Sequence, residues 1–190
     1  MIGKVREIVK KECSSNSTMN NWTYHIEIVV KYAKLLAEKM NSDAEMAELA
    51  ALLHDIGRIK FGSKDHEKTG LPEAEKILKE VGYSQDIIDE IKHCVESHRG
   101  SKDIVPKTIT AKITTNADAM SHFDIIPLLF KVALKRSDNN LEDTLQWIND
   151  KIERDWNKKM TIPEAKEIMK EKYHAFRVLF DSMIELSKKK

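Results

Sequence analysis

The sequence predicts an all-α protein, a single-domain helical bundle over residues 1–190, and three observations carry that expectation. Apolar residues recur at three- and four-residue steps along most of the chain, the period of helices that bury one face. Two Ser/Thr-x-x-Glu boxes, Ser42-Asp43-Ala44-Glu45 and Thr161-Ile162-Pro163-Glu164, have the form of helix starts. Only 6 Gly and 4 Pro occur among 190 residues, so helices are long and turns few. With 41% hydrophobic and 33% charged residues the composition is globular, and a chain of this length can bury roughly 70% of its unfolded surface in one core.

The elements follow in order. From Trp22 to Met40 the apolar positions Trp22, Ile26, Val29, Ala33, Leu36 and Met40 line one face, with His25 at its edge. Ser42 opens the next helix by bonding the Glu45 amide, and that helix carries Met46, Leu49, Ala50, Leu52 and Leu53 inward to His54 and Asp55 before stopping at Gly57. A polar loop from Lys60 to Asp65 precedes a short helix with Pro72 in its first turn, closed by Gly82. Ser84 caps a helix whose stripe of Ile87, Ile88, Ile91, Cys94 and Val95 continues to His98, before a break at Gly100. Thr108 to Ser121 forms another helix, placing Asp118 beside the face of Ile109, Ile113 and Ala117, and Pro127 resets the chain. Two long C-terminal helices within 139–187 complete the bundle. The first is marked by Leu141, Leu145, Ile148, Ile152 and Trp156. The second opens at the Thr161 box and turns Ala165, Ile168, Met169, Phe176, Leu179, Phe180 and Met183 inward, with Lys188 to Lys190 as a solvated tail.

Charge and cysteine usage exclude several classes. With 32 basic and 31 acidic residues the net charge is +1, so no global field draws the chain to nucleic acid or to an anionic membrane. Cys13 and Cys94 form neither a CxxC pair nor a disulfide framework, no export signal is evident, and no apolar run reaches the ~20 residues of a membrane span. The expected setting is the cytoplasm, where the triplets Asn16-Ser17-Thr18 and Asn21-Trp22-Thr23 have no use as glycosylation acceptors.

The chemistry concentrates at the end of the second helix. A carboxylate inside an apolar helix end must be paired, hydrogen-bonded or bound to a cation, so Asp55 requires a partner. The adjacent His54 supplies an imidazole, and His25 and Asp118 can complete a shell. Mixed imidazole and carboxylate ligation suits Mn, Fe, Co, Ni or Zn; Ca takes oxygen ligands almost exclusively, and Mg fits less well. His93, His122 and His174 read as packing or locally hydrogen-bonded residues, and Trp147, Trp156 and Phe180 as core.

His25, then His54-Asp55 within Ala50-Ala51-Leu52-Leu53-His54-Asp55-Ile56-Gly57, then Asp118, together resemble the H...HD...D signature of the HD phosphohydrolase superfamily over residues 22–122. The resemblance implies a helical fold in which His25, His54, Asp55 and Asp118 bind a divalent metal. His66 and His98 resemble the extra histidines of the dinuclear branch, where Asp55 would bridge two ions. The sequence departs from the cyclic-dinucleotide HD-GYP type, because it lacks the GYP extension and has Asn116 where an acidic residue is usual.

Such a centre polarises a phosphoryl oxygen and lowers the pKa of bound water toward ~7. The expected activity is hydrolysis of a phosphomonoester or phosphodiester, in a nucleotide or related small metabolite. Asp55 is the central catalytic ligand, and Arg58 and Arg99, each next to a ligand position or close behind one, grip the phosphate. Lys60 and Lys102 are weaker candidates for that role. The rivals are a dinuclear-iron oxygenase on the same six ligands, a non-catalytic nucleotide-binding regulatory domain and, further off, a nucleic-acid-binding helical protein.

Overall fold

A computed structural model describes residues 1–15, 22–99 and 104–187. The expected break at Gly100, Lys102, the Asn16 triplet with Asn21, and the Lys188 to Lys190 tail lie outside the described residues. Among those described, every regular element is a helix, as the sequence predicts, and no strand occurs. Packing divides the chain into two compact units, Met1–Asp118 and Ala119–Lys190, and the division falls inside a helix rather than in a linker.

The first unit begins with α1 (Ile2–Ser15), which buries Val5, Val9 and Cys13. A π-helical turn, Trp22–Ile26, leads into α2 (Glu27–Lys39), whose inward face is Val29, Val30, Tyr32, Ala33, Leu36 and Ala37. The next helix, α3 (Ala44–Leu53), is capped by Asp43, whose carboxylate accepts from the amides of Glu45 and Met46 at 2.9 and 3.0 Å. Ser42 is not the cap: the Asp43 backbone has the extended conformation a cap requires, and its oxygen reaches two orphan amides at once. Every residue of α3 from Ala47 to Leu53 is buried, the pattern of a helix surrounded by others. Its partners include α2, α1 and α6.

Gly57 does not end this helix. The chain turns at His54 and Asp55 into a six-residue helix, α4 (Ile56–Phe61), that takes in the first two residues of the expected loop, and the positive-φ stop falls on Gly62 at φ 87°. Gly57 lies instead where α4 meets α5 (His66–Val81). A Cβ there would come within 2.3 Å of the His66 carbonyl oxygen and 2.5 Å of the Gly70 nitrogen. Because α5 starts at His66, Pro72 lies inside it rather than in its first turn, which deprives the Lys68 carbonyl of its helical donor. Gly82 ends α5 in the left-handed region as expected, its amide bonding Leu78 O and Lys79 O. Ser84 occupies the N-cap position of α6 (Gln85–Ser97) without a side-chain cap bond. From α5 to α6 the chain forms a helical hairpin, and α7 (Ile109–Asp124) carries the unit to Asp118.

In the second unit, α8 (Ile126–Arg136) takes Pro127 in its first turn, and Asn140 caps α9 (Leu141–Arg154). A π-helical turn, Asp155–Lys159, precedes α10 (Pro163–Ser187). The α10 core row is Ala165, Met169, Phe176 and Phe180, while Leu179 is 71% exposed and Met183 37% exposed. Those two do not face inward: Leu179 sits at the edge of the row and Met183 lies beyond its last buried member. No helix among the described residues is long and apolar enough to cross a membrane.

Candidate metal centre

The buried α3 delivers His54 and Asp55 into the interior, and a change of backbone direction keeps them there. Asp55 sits at φ −107° and ψ 16°, the sparsely populated bridge region between two helices. His25 comes from the π-helical turn before α2, an irregularity that re-aims a side chain relative to a regular helix. His66 opens α5 behind Asp65, whose φ of 45° is a left-handed value Asp tolerates. His98 follows the last residue of α6, and Asp118 lies on α7. All are buried except His25, which is half-buried.

Three of the four histidines are held the same way. His54 Nδ1 donates to Ala51 O at 2.8 Å, His66 Nδ1 to Ser63 O at 3.1 Å and His98 Nδ1 to Val95 O at 2.7 Å. A carbonyl only accepts, so each Nδ1 carries the hydrogen, and in the neutral form each ring presents its Nε2 lone pair, the form that can bind a metal ion. Those lone pairs converge on Asp55. Its Oδ1 lies 3.2 Å from His66 Nε2 and 3.5 Å from His98 Nε2. Its Oδ2 lies 3.4 Å from His25 Nε2 and 3.9 Å from His54 Nε2. Asp118 Oδ1 joins the second group, 3.4 Å from His25 Nε2 and 3.8 Å from His54 Nε2. One carboxylate therefore completes two three-residue clusters, with His25 and His54 on one oxygen and with His66 and His98 on the other, each of which could hold a metal ion, and Asp118 stands beside the first through His25 and His54.

The electrostatics agree with the geometry. Burial opposes ionisation of Asp55, but the His25 hydrogen bond and the nearby Arg58 guanidinium help to hold the carboxyl well below its usual range. Burial pushes His54 down to about 3 against the pull of Asp55 and Asp118, and it also lowers His66. Unfolded imidazoles take up protons below about 6.5, whereas folded His54 stays neutral to about 3, so the unfolded state binds more protons between those values. Stability of the chelator-treated protein should therefore fall as pH drops through that window. Thermal unfolding against pH measures this, and a melting temperature that does not fall below 6.5 would contradict neutral buried imidazoles.

Around the cluster, Arg58 is 48% exposed with Nη1 3.9 Å from Asp55 Oδ2. Arg99 Nη1 lies 2.7 Å from Glu67 Oε2. Lys60 is bound to Glu73 at 2.6 Å. His93 accepts from the Lys107 amide, and buried Asn116 donates to Lys112 O. Two features escaped the sequence reading. Glu67 is fully buried beside His66. In the second unit, buried Asp155 has Oδ2 2.9 Å from His122 Nδ1 and 3.3 Å from Lys151 Nζ, with Lys159 also buried. Burial opposes ionisation of Asp155, yet Lys151 and His122 hold its carboxyl below the usual range. The i,i+4 spacings of Lys151 with Asp155 and of Asp155 with Lys159 were the local signals of that network.

The sequence profile of the HD domain family matches residues 22–122, more than half of the chain, a span that contains Asp55 and the five residues clustered with it. The chain belongs to the HD domain family. As an HD protein it is similar to proteins of different names. Over 133 residues it is 35% identical to a tRNA (cytidine(56)-2'-O)-methyltransferase of Picrophilus torridus, covering 63% of this chain and 37% of that protein. Over 99 residues it is 34% identical to Ribonuclease Y of Alkaliphilus metalliredigens, covering 51% of this chain and 19% of that one. The HD chain thus spans well under half the length of these relatives. The structure of Bacillus subtilis YpgQ in complex with ADP superimposes with a TM-score of 0.75 at 20% identity, covering 97% of this chain and 93% of that one. A predicted HD superfamily hydrolase from an uncultured Thermotogales bacterium gives 0.68 at 20% identity, covering 98% and 92%. Both share the fold.

Proposed function

We propose that this HD protein is a metal-dependent phosphohydrolase that cleaves a phosphomonoester or phosphodiester, of a nucleotide or related small metabolite, at a two-ion centre. One observation carries the reading. His66 Nε2 and His98 Nε2 stand 3.2 Å apart, while both Nδ1 hydrogens are committed to backbone carbonyls. Two imidazole lone pairs therefore face each other beside a carboxylate oxygen, an arrangement that is repulsive until a cation lies among them. His54 meets His25 at 3.1 Å on the other side of Asp55. On this reading His25, His54, Asp118 and Asp55 hold one ion, and His66, His98 and Asp55 the other.

Bound divalent cations supply Lewis acidity toward a phosphoryl oxygen and lower the pKa of water toward ~7. The chain's own contribution is placement. Three backbone carbonyls fix the tautomers, Asp55 divides its oxygens between the two sets, and exposed Arg58 offers a planar fork for a phosphate oxygen at the edge of the cluster. The ADP bound by YpgQ supports a nucleotide as the ligand class, and the Ribonuclease Y relatives bring an RNA phosphodiester into the set to be tested.

The test is phosphate release from nucleotides, simple phosphate esters and a short oligoribonucleotide by chelator-stripped protein, with and without added Mn, Co, Ni, Mg or Fe. We expect no turnover without metal and restored turnover with a transition metal. Iron binding with oxygen consumption and no phosphate release would replace this reading with the oxygenase. Tight nucleotide binding without product would replace it with the regulatory domain.

A further inference from the structure

We infer that the ion pair between Glu67 and Arg99 is a positioning strut that holds His66 and His98 in register for the second ion, an inference that rests on the two-ion reading above. The argument starts from topology. α5 and α6 form an antiparallel hairpin whose closed end is the turn between Val81 and Gln85. His66 is the first residue of α5, and His98 follows the last residue of α6, so both stand at the open end. A 16-residue helix spans roughly 24 Å, so the closing turn lies about that far from the two imidazoles. The turn alone cannot set their separation to a few tenths of an ångström.

At that open end the two histidines supply no attraction of their own, because both Nε2 atoms present lone pairs at 3.2 Å. Apolar packing joins the two helices about a turn away, where Gly70 of α5 faces Val95 of α6, and at the open end itself the residue after each histidine adds a link. Neighbouring helical residues point in different directions, so Glu67 diverges from His66 toward the position after His98. There Glu67 Oε2 accepts from Arg99 Nη1 at 2.7 Å. The Glu67 side chain is 1% exposed and that of Arg99 28% exposed. A second link between the helices, Lys92 to Glu75, is more open, with side chains 31% and 28% exposed. A buried carboxylate must be paired, and a charge-assisted bond is short and directional. The cost of separating Glu67 from Arg99 thus opposes separation of His66 from His98. Arg99 then acts through the histidine beside it rather than by gripping phosphate.

The test uses the full chain, stripped with chelator and titrated calorimetrically with Mn(II), and with Co(II) followed by visible absorption. Wild type should take two ions per chain. Glu67→Gln, which keeps shape and removes charge, should bind the first ion as wild type does. It should bind the second roughly 10- to 100-fold more weakly, the usual range when a supporting partner of a metal ligand is lost. Arg99→Lys, which keeps the charge but not the fork, should recover part of that affinity, and saturating metal should restore activity in both variants. Two ions at wild-type affinity in Glu67→Gln, with wild type also taking two, would overturn the strut and leave the two-ion reading standing. Wild type taking one ion or none would overturn both. A raised KM for a phosphate ester in Arg99→Lys, with both ions bound at wild-type affinity, would make Arg99 a substrate ligand and overturn the strut.

Discussion

Asp55→Asn is expected to remove at least one ion and to lower turnover by more than ~10³-fold, because lost metal catalysis is worth several kcal/mol of transition-state stabilisation. The size of the effect follows from where the two oxygens point. Oδ1 faces His66 and His98, and Oδ2 faces His25 and His54, so one substitution weakens both donor sets. Asn keeps the volume and one oxygen but replaces the other with an NH₂ group, which cannot ligate and adds a donor near neutral imidazoles. The helical fold should survive. In the metal-free protein the Asp55 backbone sits in the sparsely populated bridge region at the end of α3, at a cost to stability, while the His25 hydrogen bond and the nearby Arg58 favour its buried carboxylate. The metal-free variant should therefore retain the helical circular dichroism, with a melting temperature a few degrees below that of metal-free wild type at most. Metal analysis and turnover on the best substrate of the panel check the first part, and full activity in the variant would remove Asp55 from the mechanism.

Much of the fold was legible because its signals are local. The apolar rows of α2, α6 and α9, the left-handed stop at Gly82 and the start of α10 near Thr161 can each be read within one or two helical turns. The errors share the opposite cause. Gly57 read as a helix stop because Gly usually serves there, but this one is required by the close approach of α5, whose start at His66 no residue near Gly57 announces. Pro72 suggested a helix start, and the helix begins at His66 instead. A six-residue α4 is too short for periodicity to reveal. Ser42 and Asp43 are both good caps, and only the backbone chose Asp43. At the candidate site, the order of His25, His54-Asp55 and Asp118 pointed to the residues, while the division of Asp55's oxygens needed coordinates. The Glu67 to Arg99 pair joins residues 32 positions apart, and no local pattern encodes it.

Gly57→Ala should lower activity about a hundredfold although it touches no proposed ligand side chain. Two effects compete. In a helix, Ala is favoured over Gly by about 1 kcal/mol, so α4 taken alone would gain. Against this, the new Cβ would lie 2.3 Å from the His66 carbonyl oxygen, 2.5 Å from the Gly70 nitrogen and 2.8 Å from the Gly70 Cα. All three are backbone atoms, so no side-chain rotation relieves the contact, and the start of α5 must move by about 1 Å to reach ordinary separation. Overpacking of that kind costs about 1–3 kcal/mol, which outweighs the helix gain at most sites in that range. The functional loss is larger, because the atoms displaced belong to His66 itself, and a 1 Å error in a catalytic arrangement costs ~10²-fold. Gly3 in α1 is the control, since a Cβ there meets nothing within 4 Å and Gly3→Ala should leave activity unchanged. Metal stoichiometry separates the causes: a variant that keeps the ion of His25, His54 and Asp118 but loses that of His66 and His98 locates the damage at the α4–α5 crossing. Wild-type activity in Gly57→Ala with a raised melting temperature would show instead that α5 can shift without carrying His66 out of place.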